Sequence, residues 1–201
     1  YISVTGVQAC ALPISSAQPE DDTPAPPPGP AMRAAAERGT LIHALFERLP
    51  PVEAGKRREA ALRWLEHSAG VGDADAREEI AGHVLAVLDD PAFAALFSKQ
   101  ALAEAPIAAV VGEDVIAGTM DRLLVMDEMV QVADFKTGRF VPASAAQVPT
   151  AHLKQMAAYV AALEVVFPGR DVEAALLYTA GPKLIRLDMG LLKPHKPGFT
   201  A

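Results

Sequence analysis

The chain has 201 residues, 51% of them hydrophobic and 21% charged, which describes a folded domain of ordinary size rather than a disordered chain. No apolar run approaches a membrane span, and the single cysteine excludes internal disulfides and cysteine-built zinc or iron–sulfur sites. The net charge of −7, three units of it from Glu20, Asp21 and Asp22, argues against a stand-alone, tight, non-specific nucleic-acid binder, which would carry a basic face.

Residues 1–14 open on Tyr1, and the run from Val4 to Ile14 resembles a translated sequencing adapter. This segment is expected to be non-native and to stand outside the fold. A signal sequence ending at Cys10 is the rival, but it would lack a basic start and a long apolar core, and on either reading Cys10 is not a functional thiol. The chain is then expected to be a fragment whose natural start lies upstream. Residues 15–30, rich in proline and acid, read as a disordered linker of the kind that joins domains.

From residue 31 the pattern becomes helical. Met32, Ala35, Leu41, Ile42, Leu45, Phe46 and Leu49 recur at helical spacing over 31–49, and Pro50-Pro51 stops the run. Further helices are predicted over about 55–68 and 73–89, with a short one over 91–97. The chain then turns β-prone: a strand over Leu102–Val111, a turn at Gly112-Glu113-Asp114, and Val115–Gly118 leading into two apolar runs, 122–126 and 129–135, split by Asp127-Glu128. A helix over about 150–167 and strands over Val172–Thr179 and Lys183–Leu187 complete the order, which is that of an α/β or α+β core with a helical lead-in.

A hairpin centred on Asp127-Glu128 sets Asp121 directly across from Asp134. Like charges so placed repel unless a hard divalent cation sits between them. Lys136 leaves the strand on the same face as Asp134. Two acids and a lysine converging in this way describe a metal-dependent site that cleaves phosphodiesters. Surface hairpins also carry Asp and Lys by chance, but Asp134 ends a buried-type apolar run, where a charge has a cost. His43 and Glu47, four apart on the first helix, share a face, as do Gln155 and Tyr159 on the later one. His43 is then either a surface residue or a metal ligand. Tyr159 either packs in the core or, with Gln155, orients Lys136 or a phosphate. Lys154 and Arg139 are either phosphate contacts or ordinary exposed charges. Glu104 is either a further acid beside the site or the outward position of an edge strand, which Pro106 favours.

Taken in order, Gly39…His43, Gly118-x-x-Asp121, Asp134-Phe-Lys136-Thr137 and Gln155-x-x-x-Tyr159, closed by Tyr178-Thr-Ala-Gly-Pro182, resemble the RecB-family branch of the PD-(D/E)XK nucleases, over residues 33–188. Within it they are most similar to the nuclease domain of AddA-type helicase–nucleases of double-strand-break repair. The resemblance implies a restriction-endonuclease-like α/β fold over 31–201, with a central mixed sheet flanked by helices. It implies a cytoplasmic Mg²⁺-dependent deoxyribonuclease of exonuclease type, with Mn²⁺ as a substitute metal and no iron–sulfur cluster. His43, Asp121, Asp134 and the Phe135 carbonyl would hold metal, and Asp121, Asp134, Lys136, Gln155 and Tyr159 would form the catalytic set. The implied partners are single-stranded DNA, helicase domains upstream of the linker and an AddB-type subunit, without a membrane. Met120-Asp121 stands where the family's proline-aspartate opening would be. A nuclease fold that only binds DNA, or a phosphohydrolase of small nucleotides, are the alternatives.

Overall fold

The computed structural model describes residues 29–198 together with Leu12 and Pro13. Helix α1 (Pro30–Arg48) starts with proline at its first position, where the missing N–H is not needed, and buries Gly39, Ile42, Leu45 and Phe46 along one stripe. Helix α2 (Arg57–His67) buries Ala61 and Leu65. Helix α3 (Ala74–Leu88) is capped by the Asp73 carboxylate, which accepts the Asp75 N–H, and buries Ile80, Ala81, Val84 and Val87. The short helix expected at 91–97 is a 3₁₀ segment, Pro91–Phe97, capped by Asp90. These elements lie where hydrophobic spacing predicted them, to within two residues at each end.

The sheet contains β1 (Leu12–Pro13), β2 (Ala101–Val111), β3 (Asp114–Val125), β4 (Met129–Lys136), β5 (Asp171–Tyr178) and β6 (Lys183–Leu187). Strands β2, β3 and β4 form an antiparallel meander, β5 joins β4 in parallel, and β6 returns antiparallel to β5. The parallel step requires a crossover, and helix α4 (Thr150–Val166) supplies it. Short helix α5 (Met189–Leu192) follows β6 and was not foreseen. Lead-in Val115–Gly118 and residues 122–125 of the later run belong to one strand, β3. This is the expected mixed sheet between helices. Among the described residues β2 pairs only with β3, so Pro106 stands on an edge strand there.

Two cores sandwich the sheet. On one face α4 packs on Met120, Leu123, Val132 and Leu176. On the other, α1, α2 and α3 enclose Phe135 and Leu177. Residues 1–14, expected to stand outside the fold, contribute Leu12–Pro13, paired in parallel with Ile116–Ala117; the remainder lies outside the described residues. The linker at 15–30 also lies outside them, except at Gly29 and Pro30, where α1 opens. Among the described residues no single helix is long and apolar enough to cross a membrane.

Candidate active site

The hairpin register is the predicted one. Arg122 pairs with Ala133 and Leu123 with Val132, and the paired residues stop one step short of Asp121 and Asp134. The side chains depart from simple alternation at this point. Met120 and Leu123, three residues apart, both reach the α4-side core, although an uninterrupted strand would send them to opposite faces. The phase therefore slips between them. Across the ladder, Ala103 pairs with Arg122 and Ala105 with Met120, leaving Glu104 and Asp121 as the interrupted step. Glu104 there adopts φ 48°, a left-handed conformation costly for a residue with a Cβ and the sole positive φ among described non-glycine residues.

The slip turns Asp121 toward α1. Its Oδ1 lies 3.0 Å from His43 Nδ1. Its Oδ2 accepts the Phe135 N–H at 2.5 Å, so the carboxylate reaches across to β4. Ligand atoms of His43, Glu104 and Asp121 lie within 4.8 Å of one another, the one such grouping among the described residues. Glu104, left open by the sequence, is thus the acid that completes a three-membered donor set. Asp134 is not in that set: it stays on the α4 side, where Lys136 Nζ is 2.7 Å from its Oδ2 and Gln155 Nε2 donates to its Oδ1 at 3.1 Å. Sequence reasoning placed a cation between the two aspartates. The slip, which has no sequence signature, also brings Glu104 and His43 beside Asp121.

Lys136 Nζ also donates to Gln155 Oε1 at 2.6 Å, so Gln155 bridges lysine and aspartate and is not merely solvated. Tyr159 is buried and donates its hydroxyl to the Thr119 carbonyl at 2.6 Å, stitching α4 to the strand just before the slip. The Phe135 ring packs on Phe46, with centroids 4.8 Å apart, and on Phe97 and His43 at 5.8 Å. Glu47 shares the helix face of His43 but pairs with Arg48 at 3.0 Å and stays outside the donor set. Lys154 and Arg139 are exposed. Gly39 is explained by Thr137: a Cβ at Gly39 would come within 2.8 Å of Thr137 Oγ1. Arg38 bonds the Thr137 carbonyl at 3.2 Å and fastens the same turn to α1.

Sequence reasoning missed two residues here. Arg122, buried, donates to the Phe46 carbonyl, stacks on Phe97 and leaves its Nε without a partner. His152 Nδ1 lies 3.2 Å from the buried Tyr178 hydroxyl, and Tyr178 is the register partner of Lys136. The spacing of His152 and Gln155, three apart on α4, was the available signal.

The electrostatics are those of an acid cluster short of positive charge. Burial, and then the neighbouring Asp121 charge, push Asp134 up to about 6 against the pull of Lys136. Burial and Asp121 likewise raise Glu104. Burial alone would lower His43, but its bond to Asp121 and the charges of Asp121, Asp134 and Glu104 outweigh it and raise the pKa. Burial and Lys136 depress His152 to about 4. Two carboxylates, an imidazole and a third acid close by suit a hard divalent cation, which would relieve the repulsion raising Asp134 and Glu104. A groove of about 430 Å³ lined by Ala95, Ala133, Ala175 and Leu184 includes none of these groups.

The sequence model of the PD-(D/E)XK nuclease superfamily matches residues 18–195, nearly the whole chain. No curated protein matches. Among solved structures, one titled "Crystal structure of SSO0001" is 16% identical, with 80% of this chain and 82% of that one covered and a TM-score of 0.33.

Proposed function

The chain belongs to the PD-(D/E)XK nuclease superfamily, and from that premise we propose that it hydrolyses phosphodiester bonds of DNA with a divalent metal, Mg²⁺ by preference and Mn²⁺ as a substitute. The observation that carries this reading is the junction of two networks at one slip in β3: the donor set His43–Glu104–Asp121 and, beside it, the chain Asp134–Lys136–Gln155. His43, Glu104 and Asp121 would hold the metal, with Asp134 and the Phe135 carbonyl as further ligands. Bound there, the cation supplies Lewis-acid chemistry, lowering the pKa of water and offsetting phosphate charge.

The protein's own part is positioning and charge. Lys136, fixed between Asp134 Oδ2 and Gln155 Oε1, presents an ammonium where negative charge grows on the phosphate in the transition state. Asp134 holds that ammonium in place and orients the attacking water. Gln155 donates to Asp134 and accepts from Lys136, so it keeps the two at a set distance. Tyr159 acts one step further out, holding α4 against the Thr119 carbonyl so that Gln155 stays in reach. The products expected are a 5′-phosphate and a 3′-hydroxyl.

The ordered motifs further support membership of the RecB branch, as an AddA-type nuclease domain acting on single strands at DNA ends in recombinational repair. The proline-rich residues 15–30 would then tether residues 31–201 to upstream helicase domains, and an AddB-type subunit and cytoplasmic location would follow. A non-catalytic DNA-binding role is disfavoured because no member of the acid–lysine set is missing. The test is cleavage of end-labelled single-stranded DNA with Mg²⁺, with EDTA, and by Asp134→Ala. Cleavage that needs metal and disappears in the variant is the expected result. Persistent cleavage by folded Asp134→Ala would overturn the assignment, and turnover of small nucleotides alone would replace the substrate.

A further inference from the structure

We infer that Phe140 is a stacking post for a nucleobase of the bound strand, and that it selects single-stranded over double-stranded substrate. The inference rests on the nuclease reading above and adds a specificity-determining residue to it. Among the described residues Phe140 is the one aromatic among the large apolar side chains left exposed, at 59%. A lone exposed apolar residue is unremarkable by itself; the setting of this one is not ordinary.

The loop that carries it is fastened on both sides. Upstream, Arg38 donates to the Thr137 carbonyl at 3.2 Å. Downstream, Lys183 Nζ donates to the carbonyls of Pro142 at 3.0 Å and Ala143 at 2.6 Å, and the Ala143 N–H donates to Gln147 Oε1 at 2.9 Å. Within this fixed loop the smaller neighbour, Val141, packs against the α4-side core while the larger phenyl ring is held out in water. Burying a phenylalanine rather than a valine is the outcome hydrophobicity favours. The loop does the reverse, and it does so four residues after Lys136, within roughly 14 Å of that side chain's backbone. Arg139, also exposed, precedes Phe140 in the chain.

An exposed aromatic and a cation next to it in sequence, on a fastened loop four residues past Lys136, match the way single strands are held: every base has a π-face to stack, and the backbone is anionic. Bases in an intact duplex already stack on one another and are not available to the ring. The ring would therefore grip an unpaired base near the scissile phosphate and ignore a blunt duplex.

The experiment uses the full chain with Mg²⁺ and a Lys136→Ala background that silences hydrolysis. Binding of a fluorescein-labelled single-stranded 12-mer and of a blunt duplex is read by anisotropy. Phe140→Ala and Phe140→Leu are expected to weaken single-strand binding roughly 5- to 100-fold, Phe140→Trp to retain it, and none to alter duplex binding. A 12-mer carrying one abasic residue at the stacked position should lose a similar factor with Phe140 present and almost nothing with Phe140→Ala. Equal single-strand affinity with and without the ring, or retention in Phe140→Leu, overturns the inference while the nuclease reading stands. If the unaltered chain cleaves no nucleic acid, the nuclease reading fails first and takes this inference with it.

Discussion

Gly39→Ala is the perturbation whose outcome the structure fixes most narrowly. In the middle of a helix such a change gains about 1 kcal/mol from backbone propensity. Here the new Cβ would meet Thr137 Oγ1 at 2.8 Å, well inside ordinary contact, while the next atom, Thr137 Cβ, is at 3.8 Å and comfortable. Threonine is stiff at χ1 and Arg38 holds its carbonyl, so the turn does not yield freely. Overpacking of this kind costs about 1–3 kcal/mol, so Gly39→Ala should destabilise by up to about 2 kcal/mol net. In a Thr137→Ala background the obstructing oxygen is gone and the same change should stabilise by up to about 1 kcal/mol. Urea midpoints for the four proteins of the cycle measure this, and a coupling of about 2 kcal/mol is expected. His43 sits one turn further along α1, with its Nδ1 3.0 Å from Asp121, so the displaced helix should also bind Mn²⁺ more weakly by calorimetry. If Gly39→Ala stabilises the unaltered chain, or shifts both backgrounds equally, the close approach of α1 to Thr137 is wrong.

Three further outcomes are expected. Glu104→Ala should lower metal affinity by roughly ten-fold or more, whereas Glu47→Ala should leave it unchanged; calorimetry that ranks them the other way would remove Glu104 from the donor set. Asp134 has a folded pKa of about 6 against 3.8 for the free group, so between these values the native state holds more protons than the unfolded one. Metal-free stability should therefore fall as pH rises from about 4 to about 6 and then level off. Asp134→Asn should flatten that slope and raise the metal-free melting temperature at neutral pH while abolishing hydrolysis; an unchanged slope by differential scanning fluorimetry would refute the assignment of the shift. Raised pKa values at His43, Glu104 and Asp134 mean that protons compete with metal, so Mn²⁺ affinity should climb with pH from about 5 to about 8 and lose that dependence if the ligands lie elsewhere.

How much of this was legible in the sequence depended on the range of the interactions involved. The hairpin register followed from two apolar runs broken by Asp127-Glu128, and it survives in the Arg122–Ala133 pair. Helices α1 to α4 followed from spacing and from stops such as Pro50-Pro51. The role of Glu104 did not follow, because strict alternation makes it an outward edge residue; only a left-handed backbone at a non-glycine position brings it to Asp121. Arg122 was equally opaque: its burial is balanced by the carbonyl of Phe46, 76 residues away in the chain. The pairing of His152 with Tyr178 depends on α4 crossing over β5, a tertiary fact with only a faint local trace.

Asp134, Phe135 and Lys136 divide their side chains between two layers: the charged pair meets Gln155 under α4, and the phenyl ring between them wedges among Phe46, Phe97 and His43 under α1. Were β4 to slide by a single residue, the ring would be thrust into the polar cleft and both ions pressed into the aromatic nest. A one-residue misalignment is therefore strongly disfavoured, and the tripeptide serves as a two-sided key to the phase of the strand. A protein built this way polices its own assembly with the groups it needs for its chemistry, and a chain that folds at all arrives with its acid and its lysine already in position.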